Sequence, residues 1–228
     1  MEAKGRLIVI EGTDGSGKAT QSKKLLERLQ EAGFSTAYFD FPRYGEKSAG
    51  MVENYLNGKY GTADEVDPKT ASMFYALDRY DASFEIRKKL EEGKIIVCNR
   101  YVSANMGHQG GKIEDKKKRD DYIKWIEDLE YNFFKIPKPN LTIFLFVPYL
   151  VAQKLVDNKE KRDYINKGKR DIHEMSSDHL RKAQAAYIEI AKEKNWTIIE
   201  CTKNDKIMPI EEIHELIWND VQRSLNEK

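Results

Sequence analysis

Arg6–Thr20 reads R-L-I-V-I-E-G-T-D-G-S-G-K-A-T, a short apolar run followed at once by a glycine-rich loop. Apolar Leu25 and Leu29 then recur at helical spacing, and Gly33 closes the segment. A strand, a G-x-x-x-x-G-K loop and a helix in this order are typical of a phosphate-binding P-loop. Its glycines let backbone N–H groups turn inward, the helix N-terminus adds a partial positive charge, and Lys18 reaches the terminal phosphates. The predicted triphosphate-binding residues are Gly12, Thr13, Asp14, Gly15, Ser16, Gly17, Lys18, Ala19 and Thr20.

The position after Lys18 is unusual for such a loop. It is normally Ser or Thr, whose hydroxyl binds Mg²⁺, and here it is Ala19. Because a methyl group cannot bind a metal ion, Thr20, one place later, becomes the candidate ligand in this stretch. Thr20 would act through a shifted loop or a bridging water; alternatively, it only packs on the helix.

The composition indicates one domain without an extended basic or membrane-binding surface. The 228 residues hold 39 Lys and Arg against 38 Asp and Glu, a formal charge of +1. This balance argues against nucleic acid or a polybasic membrane anchor. No apolar run approaches the ~20 residues of a membrane span. We therefore expect a single domain over residues 1–228, with neither a nucleic-acid nor a membrane partner.

The two cysteines indicate the compartment. Cys98 and Cys201 each lie at the end of an apolar run that is typical of a buried strand. Their spacing fits neither a metal site nor a disulfide framework. We therefore expect two buried free thiols in a reducing cytoplasm.

The whole chain alternates short apolar runs with longer segments of helical periodicity. Four of the five runs are apolar nearly throughout, as expected for strands buried on both faces. This order predicts a three-layer α/β fold, in which a mainly parallel sheet carries helices on both faces and ligands bind at the carboxyl ends of the strands. The predicted strands are Leu7–Ile10, Thr36–Phe39, Ile95–Cys98, Leu141–Val147 and Thr197–Cys201.

Two arginines follow predicted strands and therefore point to an anion site at the same edge of the sheet. Pro42 ends the second strand and leaves Arg43 at its carboxyl end. Arg100 follows the third strand in the same way, and a buried arginine there requires a charged partner, which a phosphate supplies. For Arg43 the alternative is an exposed loop arginine. The lone His108 reads as a polar contact.

A planar-base site is predicted on the helix that begins with Asp67 as N-cap and Pro68 in its first turn. Tyr75 and Arg79 are four residues apart and so share one helix face. An aromatic ring beside a guanidinium can stack a base and donate to its carbonyl oxygens. The alternative is a packed aromatic residue beside a surface arginine.

A basic segment follows the fourth predicted strand. Between Asn158 and Arg170, six Lys and Arg residues stand against two acidic residues. Such a run is either a solvated face or a lid over approximately residues 155–174, whose arginines close over the transferred phosphoryl group.

Taken together, these motifs resemble those of the thymidylate kinase family of P-loop nucleoside monophosphate kinases. The resemblance covers nearly the whole chain and lies in four ordered motifs. These are the loop E-G-T-D-G-S-G-K-A-T-Q, F-P-R at Phe41–Arg43, D-R at Asp78–Arg79 and N-R-Y-V-S-A-N-M-G-H-Q-G at Asn99–Gly110. The resemblance implies transfer of the γ-phosphoryl group of ATP to thymidine monophosphate (dTMP), Mg²⁺ as cofactor and a homodimer.

The resemblance also implies a role for each matching residue. Lys18 contacts the β and γ phosphates, and Asp14 faces the acceptor sugar. Arg43 and Arg100 bind the acceptor phosphate, Tyr75 stacks on the base and Arg79 hydrogen-bonds it. Because Gly15 replaces an arginine that some members carry, the catalytic arginine is expected in the lid. The expected catalytic residues are Lys18, Asp14, Arg100, Arg162 and Arg170; the expected acceptor-binding residues are Asp14, Arg43, Tyr75, Arg79, Arg100, Asn105, His108 and Gln109.

Three departures from the family pattern affect these expectations. Asn99 stands where the family has an Asp that helps to hold Mg²⁺, so Thr20 and Asn99 are the expected metal-binding residues, Asn99 directly or through water. His108 replaces a Tyr that lies against the deoxyribose, and Asn105 replaces a Ser. The alternatives are therefore a kinase for another nucleotide or deoxynucleoside, or a nucleotide-binding protein without turnover.

Overall fold

The computed structural model describes residues 5–157 and 177–226. Its central sheet has five parallel strands in the order β2-β3-β1-β4-β5, which confirms the predicted α/β architecture. Each strand matches a predicted one to within one or two residues. The strands are β1 Arg6–Gly12, β2 Thr36–Asp40, β3 Ile95–Asn99, β4 Leu141–Phe146 and β5 Thr197–Glu200.

Helices cover both faces of the sheet, and β1 shows why. Leu7 and Val9 pack against one helix layer, whereas Ile8 and Ile10 pack against the other. A strand with two buried faces needs apolar residues at successive positions, as the sequence has here. The described helices are α1 Lys18–Glu31, α2 Gly50–Leu56, α3 Pro68–Glu91, α4 Val102–His108, α5 Lys116–Glu127, α6 Tyr149–Asp157, α7 Ser177–Glu193 and α8 Ile210–Asn226.

Helix α3 begins as its sequence predicts. The Asp67 side chain accepts hydrogen bonds from the backbone N–H groups of Lys69 and Thr70, and Pro68 occupies the first turn. This N-cap fixes where the helix starts and therefore which of its residues face the sheet. Helix α5 continues as a π-helix, Asp128–Phe133, whose role in the site is described below.

A short antiparallel hairpin was not among the predicted elements. Strands β6 Thr202–Lys203 and β7 Lys206–Ile207 pair after the central sheet. Asn204 and Asp205, which connect them, both have positive φ. Asn and Asp adopt this conformation more readily than most residues, so the turn residues did carry a signal, but two-residue strands are too short to show alternation.

The cysteine prediction is confirmed within the described structure, because Cys98 and Cys201 are both buried free thiols. Burial raises the pKa of Cys201 to about 12. Across residues 5–157 and 177–226, we find no helix with the length and apolar character needed to cross a membrane.

Candidate nucleotide-binding site

The loop between β1 and α1 is built for close approach to an anion. Gly17 has φ +83° and immediately precedes α1, which begins at Lys18. Lys18 is buried, and its Nζ donates to the carbonyl oxygen of Thr13 at 3.1 Å and lies 3.3 Å from Asp14 Oδ1. The hydroxyl oxygens of Thr13 and Ser16 are buried and make no hydrogen bond within the described residues. Buried polar groups of this kind normally have partners, so the loop fits a ligand rich in oxygen atoms.

Two glycines of this loop leave no room for a side chain. A Cβ on Gly12 would collide with the Ser16 hydroxyl, and a Cβ on Gly15 would collide with the backbone carbonyl of Ala152 in α6. Gly15 also has φ +83°, which glycine adopts without strain. An arginine at position 15 would therefore be doubly unfavourable in this chain.

Asp14 connects the loop to the end of the third strand. Its Oδ1 accepts from Arg100 Nη2 at 2.6 Å and also lies next to the Lys18 ammonium. Arg100 itself follows β3 with φ +66°, a conformation that is uncommon for a residue with a side chain. The predicted donor-phosphate residue and one predicted acceptor-phosphate residue thus meet at a single carboxylate.

A second carboxylate, Glu11, lies on the buried side of the loop near Arg100 and was not predicted as a site residue. Glu11 is completely buried, and it accepts from the Gly12 N–H, the Ser103 hydroxyl and the Tyr187 hydroxyl at 2.7 to 3.1 Å. Arg100 Nη1 lies 4.0 Å from Glu11. Burial raises the pKa of Tyr187 well above its usual value. The sequence shows Glu11 before the loop, but nothing in it indicates Ser103 or Tyr187 as partners.

His108 is close to the same arginine. Its Nε2 lies 2.9 Å from Arg100 Nη1, and its ring meets Tyr187 edge-on with centroids 5.6 Å apart. Helix α7 comes so close here that a Cβ on Gly107 would enter the Tyr187 ring. His108 is therefore a buried part of the arginine's surroundings, which agrees with its interpretation as a polar contact.

Arg43 lies after β2, where the sequence places it, but its guanidinium is held by α3. Its Nε donates to Asp78 Oδ1 at 3.0 Å, and Nη2 donates to Asp81 at 2.5 Å and to Ser48 at 2.7 Å. Its side chain is 17% exposed. Desolvation alone would lower the pKa of Arg43, but its two carboxylate partners raise it. These contacts position a permanently charged group beside the carboxyl edge of the sheet.

Arg79 does not fit the alternative interpretation as a surface arginine. It is not on the surface, and its Nε and Nη2 form a double hydrogen bond with Glu130 at 2.6 and 2.7 Å, with both side chains buried. Glu130 belongs to the π-helix and was not predicted. The remaining N–H groups are on Nη1 and Nη2, and the expected contact with a base stays a prediction.

Tyr75 is half-buried one turn before Arg79 and meets Tyr55 edge-on with centroids 6.3 Å apart. Asn105 of α4 donates to the Ser72 carbonyl at 3.2 Å, so α3 and α4 are tied side by side. Gln109 is buried, and its Oε1 accepts no hydrogen bond from the described residues. Asn105 therefore links α4 to α3, the helix that carries Tyr75.

The expected metal-binding residues lie in different settings. Thr20 is exposed on the first turn of α1. Asn99 ends β3, is 6% exposed, and donates its Nδ2–H to Asp40 Oδ1 at 2.7 Å, whereas its own Oδ1 is buried and accepts no hydrogen bond in the described structure. Asp40, at the end of β2, was not predicted as a site residue. The described residues contain no group of three or more His, Cys, Asp or Glu that could enclose a metal ion.

The predicted lid lies mostly outside the described residues. Only its first three positions, 155–157, fall at the end of α6. Arg162 and Arg170 both fall outside the described ranges, so their expected roles stay predictions.

A parallel α/β sheet, a P-loop after β1 and basic side chains after β2 and β3 define the chain as a P-loop kinase of small phosphorylated substrates. The thymidylate kinase family model matches residues 10–217. The chain therefore belongs to the thymidylate kinase family.

Individual relatives agree with this assignment. The chain is 31% identical over 210 residues to a probable thymidylate kinase of Methanocaldococcus jannaschii, covering 92% of both chains. It is 25% identical to thymidylate kinase of Homo sapiens, covering 99% of this chain and 95% of the human one. A solved structure of thymidylate kinase from Candida albicans superposes with a TM-score of 0.76 at 21% identity, covering 100% of this chain and 96% of that chain, which supports the fold.

Proposed function

We propose that this chain transfers the γ-phosphoryl group of ATP to dTMP and so forms dTDP and ADP. The observation that carries the proposal is the convergence of Lys18 and Arg100 on Asp14, because it brings the loop for the donor phosphates next to a cation for the acceptor phosphate. Family membership and the relatives' names support the choice of substrates.

The transfer needs positioning and charge neutralisation more than covalent chemistry. An oxygen of the dTMP phosphate attacks the γ-phosphorus while the bond to the β–γ bridging oxygen breaks and ADP leaves. Lys18 and the loop N–H groups hold the donor phosphates. Arg43 and Arg100 hold the acceptor phosphate, and Asp14 keeps Lys18 and Arg100 at the junction. The lid arginines Arg162 and Arg170 are proposed to cover the transferred group.

Mg²⁺ is proposed as the cofactor, and the site fits it through its hydroxyl and carboxylate oxygens rather than through an enclosed cage. When bound with ATP, the ion would neutralise charge on the β and γ phosphates. Thr20 and Asn99 stay its predicted contacts. We further propose that residues 1–228 act as one kinase domain in the cytoplasm.

A coupled assay of ADP release tests the proposal. Turnover should require ATP, Mg²⁺ and dTMP together, and dTMP should be preferred over dUMP, UMP, dCMP and thymidine. Lys18→Ala should lower turnover at least about a hundredfold, because it removes a charge that acts on the transferred group. Lys23→Ala, on an exposed position of the same helix, is the matched control and should be near normal. Another acceptor ranked first would replace dTMP, and tight binding without turnover would indicate a nucleotide-binding protein.

We propose that two copies pair through an aromatic surface. It consists of the exposed side chains Leu77, Tyr80 and Phe84 of α3 and Phe133 of the π-helix, which are 38 to 75% exposed. Tyr80 contacts Phe84 at 5.4 Å, so the surface is continuous along the helix. A soluble monomer rarely exposes a contiguous apolar patch of this kind without a partner.

Sedimentation of the purified chain tests the pairing. A dimer that becomes a monomer in Phe84→Glu, but not in Phe34→Glu, supports the aromatic surface as the interface, because Phe34 is an exposed aromatic residue outside this surface. A monomeric wild-type chain would contradict the proposed homodimer.

A further inference from the structure

The ends of two neighbouring strands carry a polar pair beside the P-loop. Asp40 and Asn99 are register partners at the carboxyl ends of β2 and β3. The hydrogen bond from Asn99 Nδ2 to Asp40 Oδ1, at 2.7 Å, fixes which way the amide points, because the reverse orientation would face two oxygens towards each other. As a result the carbonyl oxygen of Asn99 is the buried one and has no access to solvent.

Three carboxylates of the described structure lie in the P-loop or close to it. They differ in whether a further ligand can reach them. Glu11 is fully buried and accepts three hydrogen bonds. Asp14 is 4% exposed and is bonded to Arg100 and Lys18. Asp40 is the one of the three that solvent reaches.

The sheet register places Asp40 near the phosphate site, because Asn99 pairs with Asp40 on one side and with Ile10, just before the P-loop, on the other. Neighbouring atoms displace enough water to raise the pKa of Asp40, while the Asn99 hydrogen bond and the positive charges of Arg100 and Lys18 act to lower it. Its carboxylate therefore feels the same two cations that are proposed to hold the donor and acceptor phosphates. The Tyr38 hydroxyl makes a long hydrogen bond of 3.4 Å to the second carboxylate oxygen, Oδ2.

We propose that Asp40 is the acidic residue that faces the hydrated Mg²⁺ of bound ATP, and that Asn99, instead of contacting the ion as predicted, positions Asp40. The inference rests on the proposed ATP site. Mg²⁺ keeps several waters and is usually held by one or two carboxylates together with substrate phosphates. Asp40 supplies an exposed carboxylate, whereas Ala19 has no oxygen in its side chain.

The amide at position 99 also suits a carboxylate partner, because it can donate a hydrogen bond without adding a second negative charge. An Asp at position 99 would put two carboxylates at hydrogen-bond distance, and two such groups resist being ionised together. Asn99 instead donates a hydrogen bond that favours the ionised form of Asp40. Compared with the family pattern, in which an Asp ends the third strand, this chain has its exposed carboxylate at the end of the second strand.

Metal binding, measured apart from catalysis, tests this. The full chain is saturated with the β,γ-imido analogue of ATP and titrated with Mn²⁺, and free Mn²⁺ is counted from its electron paramagnetic resonance signal. Asp40→Asn should weaken Mn²⁺ binding by about 10- to 100-fold, the usual cost of losing a carboxylate that holds a metal through water. Affinity for the analogue without metal should stay within about twofold of wild type. Asp121→Asn, at an exposed position of α5, should bind Mn²⁺ like wild type.

The exchange variant Asp40→Asn/Asn99→Asp sharpens the result, because it returns one carboxylate to the pair. It should recover most of the lost Mn²⁺ affinity, which a merely structural role for Asp40 would not produce. Wild-type Mn²⁺ affinity in Asp40→Asn would overturn the inference while leaving the ATP site intact. An equal loss of metal-free analogue binding would also overturn it, since the damage would then be general. A wild-type chain that binds no analogue would overturn the proposed function itself.

Discussion

Two regions of the molecule hold an arginine paired with a carboxylate: the contact between α3 and the π-helix, and the carboxyl edge of the sheet. The two pairs differ in their exposure to solvent. Arg79 and its partner Glu130 are 1% and 0% exposed, and both ends of the pair are satisfied by each other. Arg100 is 15% exposed, and its partner Asp14 also contacts Lys18. The first pair is closed to solvent and ties two elements together, whereas a pair open to solvent can exchange a partner for a phosphate.

The physical cost of each pair follows from this difference. Removing one member of a buried pair leaves an uncompensated charge away from water, and this destabilises the folded state strongly. At the edge of the sheet, water and a bound anion can replace a lost partner. We therefore expect mutations of the first pair to act on stability and mutations of the second to act on catalysis.

The largest effect is expected from Arg79→Met, which leaves the Glu130 carboxylate buried without its partner. The free energy of unfolding should fall by about 3–5 kcal/mol. Urea unfolding followed by tryptophan fluorescence measures it. Lys194→Met breaks the partly exposed contact with Glu127, at 2.6 Å, and as the control should cost under about 1 kcal/mol. Equal losses of unfolding free energy in the two variants would show that burial does not distinguish the two ion pairs.

Arg100→Met tests the other side of the comparison. The change removes a positive charge from the junction of the two phosphates, so kcat/KM for dTMP should fall by about 10²–10³-fold, or about 2.7–4 kcal/mol in transition-state free energy. Unfolding should change by less than about 1 kcal/mol, because Asp14 keeps its contact with Lys18. Arg223→Met, at an exposed position of α8, is the control for activity. If the loss of stability accounts for the lost activity, Arg100 has a structural role like that of Arg79.

The sequence was sufficient for the fold because the fold depends on local signals. Short apolar runs, four of them nearly continuous, predicted the five strands of the central sheet, and Asp67 with Pro68 predicted the start of α3. The P-loop is equally local, since its glycines and lysine follow one another directly. Cβ collisions at Gly12 and Gly15 give these glycines a packing reason that spacing alone did not show.

The pairings that define the site could not be predicted, because they join residues far apart in the chain. Arg79 and Glu130 are separated by 51 residues, and Arg100 and Asp14 by 86. Glu130 lies on a π-helix whose sequence continues the periodicity of α5 without a break signal. Asp40 was visible as the end of a strand, but its relation to Asn99 depends on which strands are neighbours in the sheet.

Lys112 extends the comparison to a cation whose hydrogen-bond partner is uncharged. Its Nζ donates to the Tyr55 hydroxyl at 2.9 Å, and the Tyr55 ring contacts Tyr75, the residue predicted to stack on the base. Burial lowers the pKa of Lys112 from 10.5 to about 8, although the negative charges of Asp64 and Asp67 oppose the shift. A partly buried cation that has no carboxylate at contact distance among the described residues should therefore make stability depend on pH.

The smallest effect follows from the sign of that shift. Below pH 8 both folded and unfolded chains hold the Lys112 proton, so the penalty for burying the charge is constant. Between about pH 8 and 10.5 only the unfolded chain keeps it, so the free energy of unfolding rises with pH. Relative to Lys112→Met, the wild-type chain should gain about 1 kcal/mol from pH 7.5 to pH 9.5, allowing for partial solvent contact. Urea unfolding at both pH values measures this, with Lys118→Met, at an exposed position, as control. Equal changes of the unfolding free energy with pH in wild type and Lys112→Met would show that Lys112 stays hydrated and charged, like a lysine on the surface.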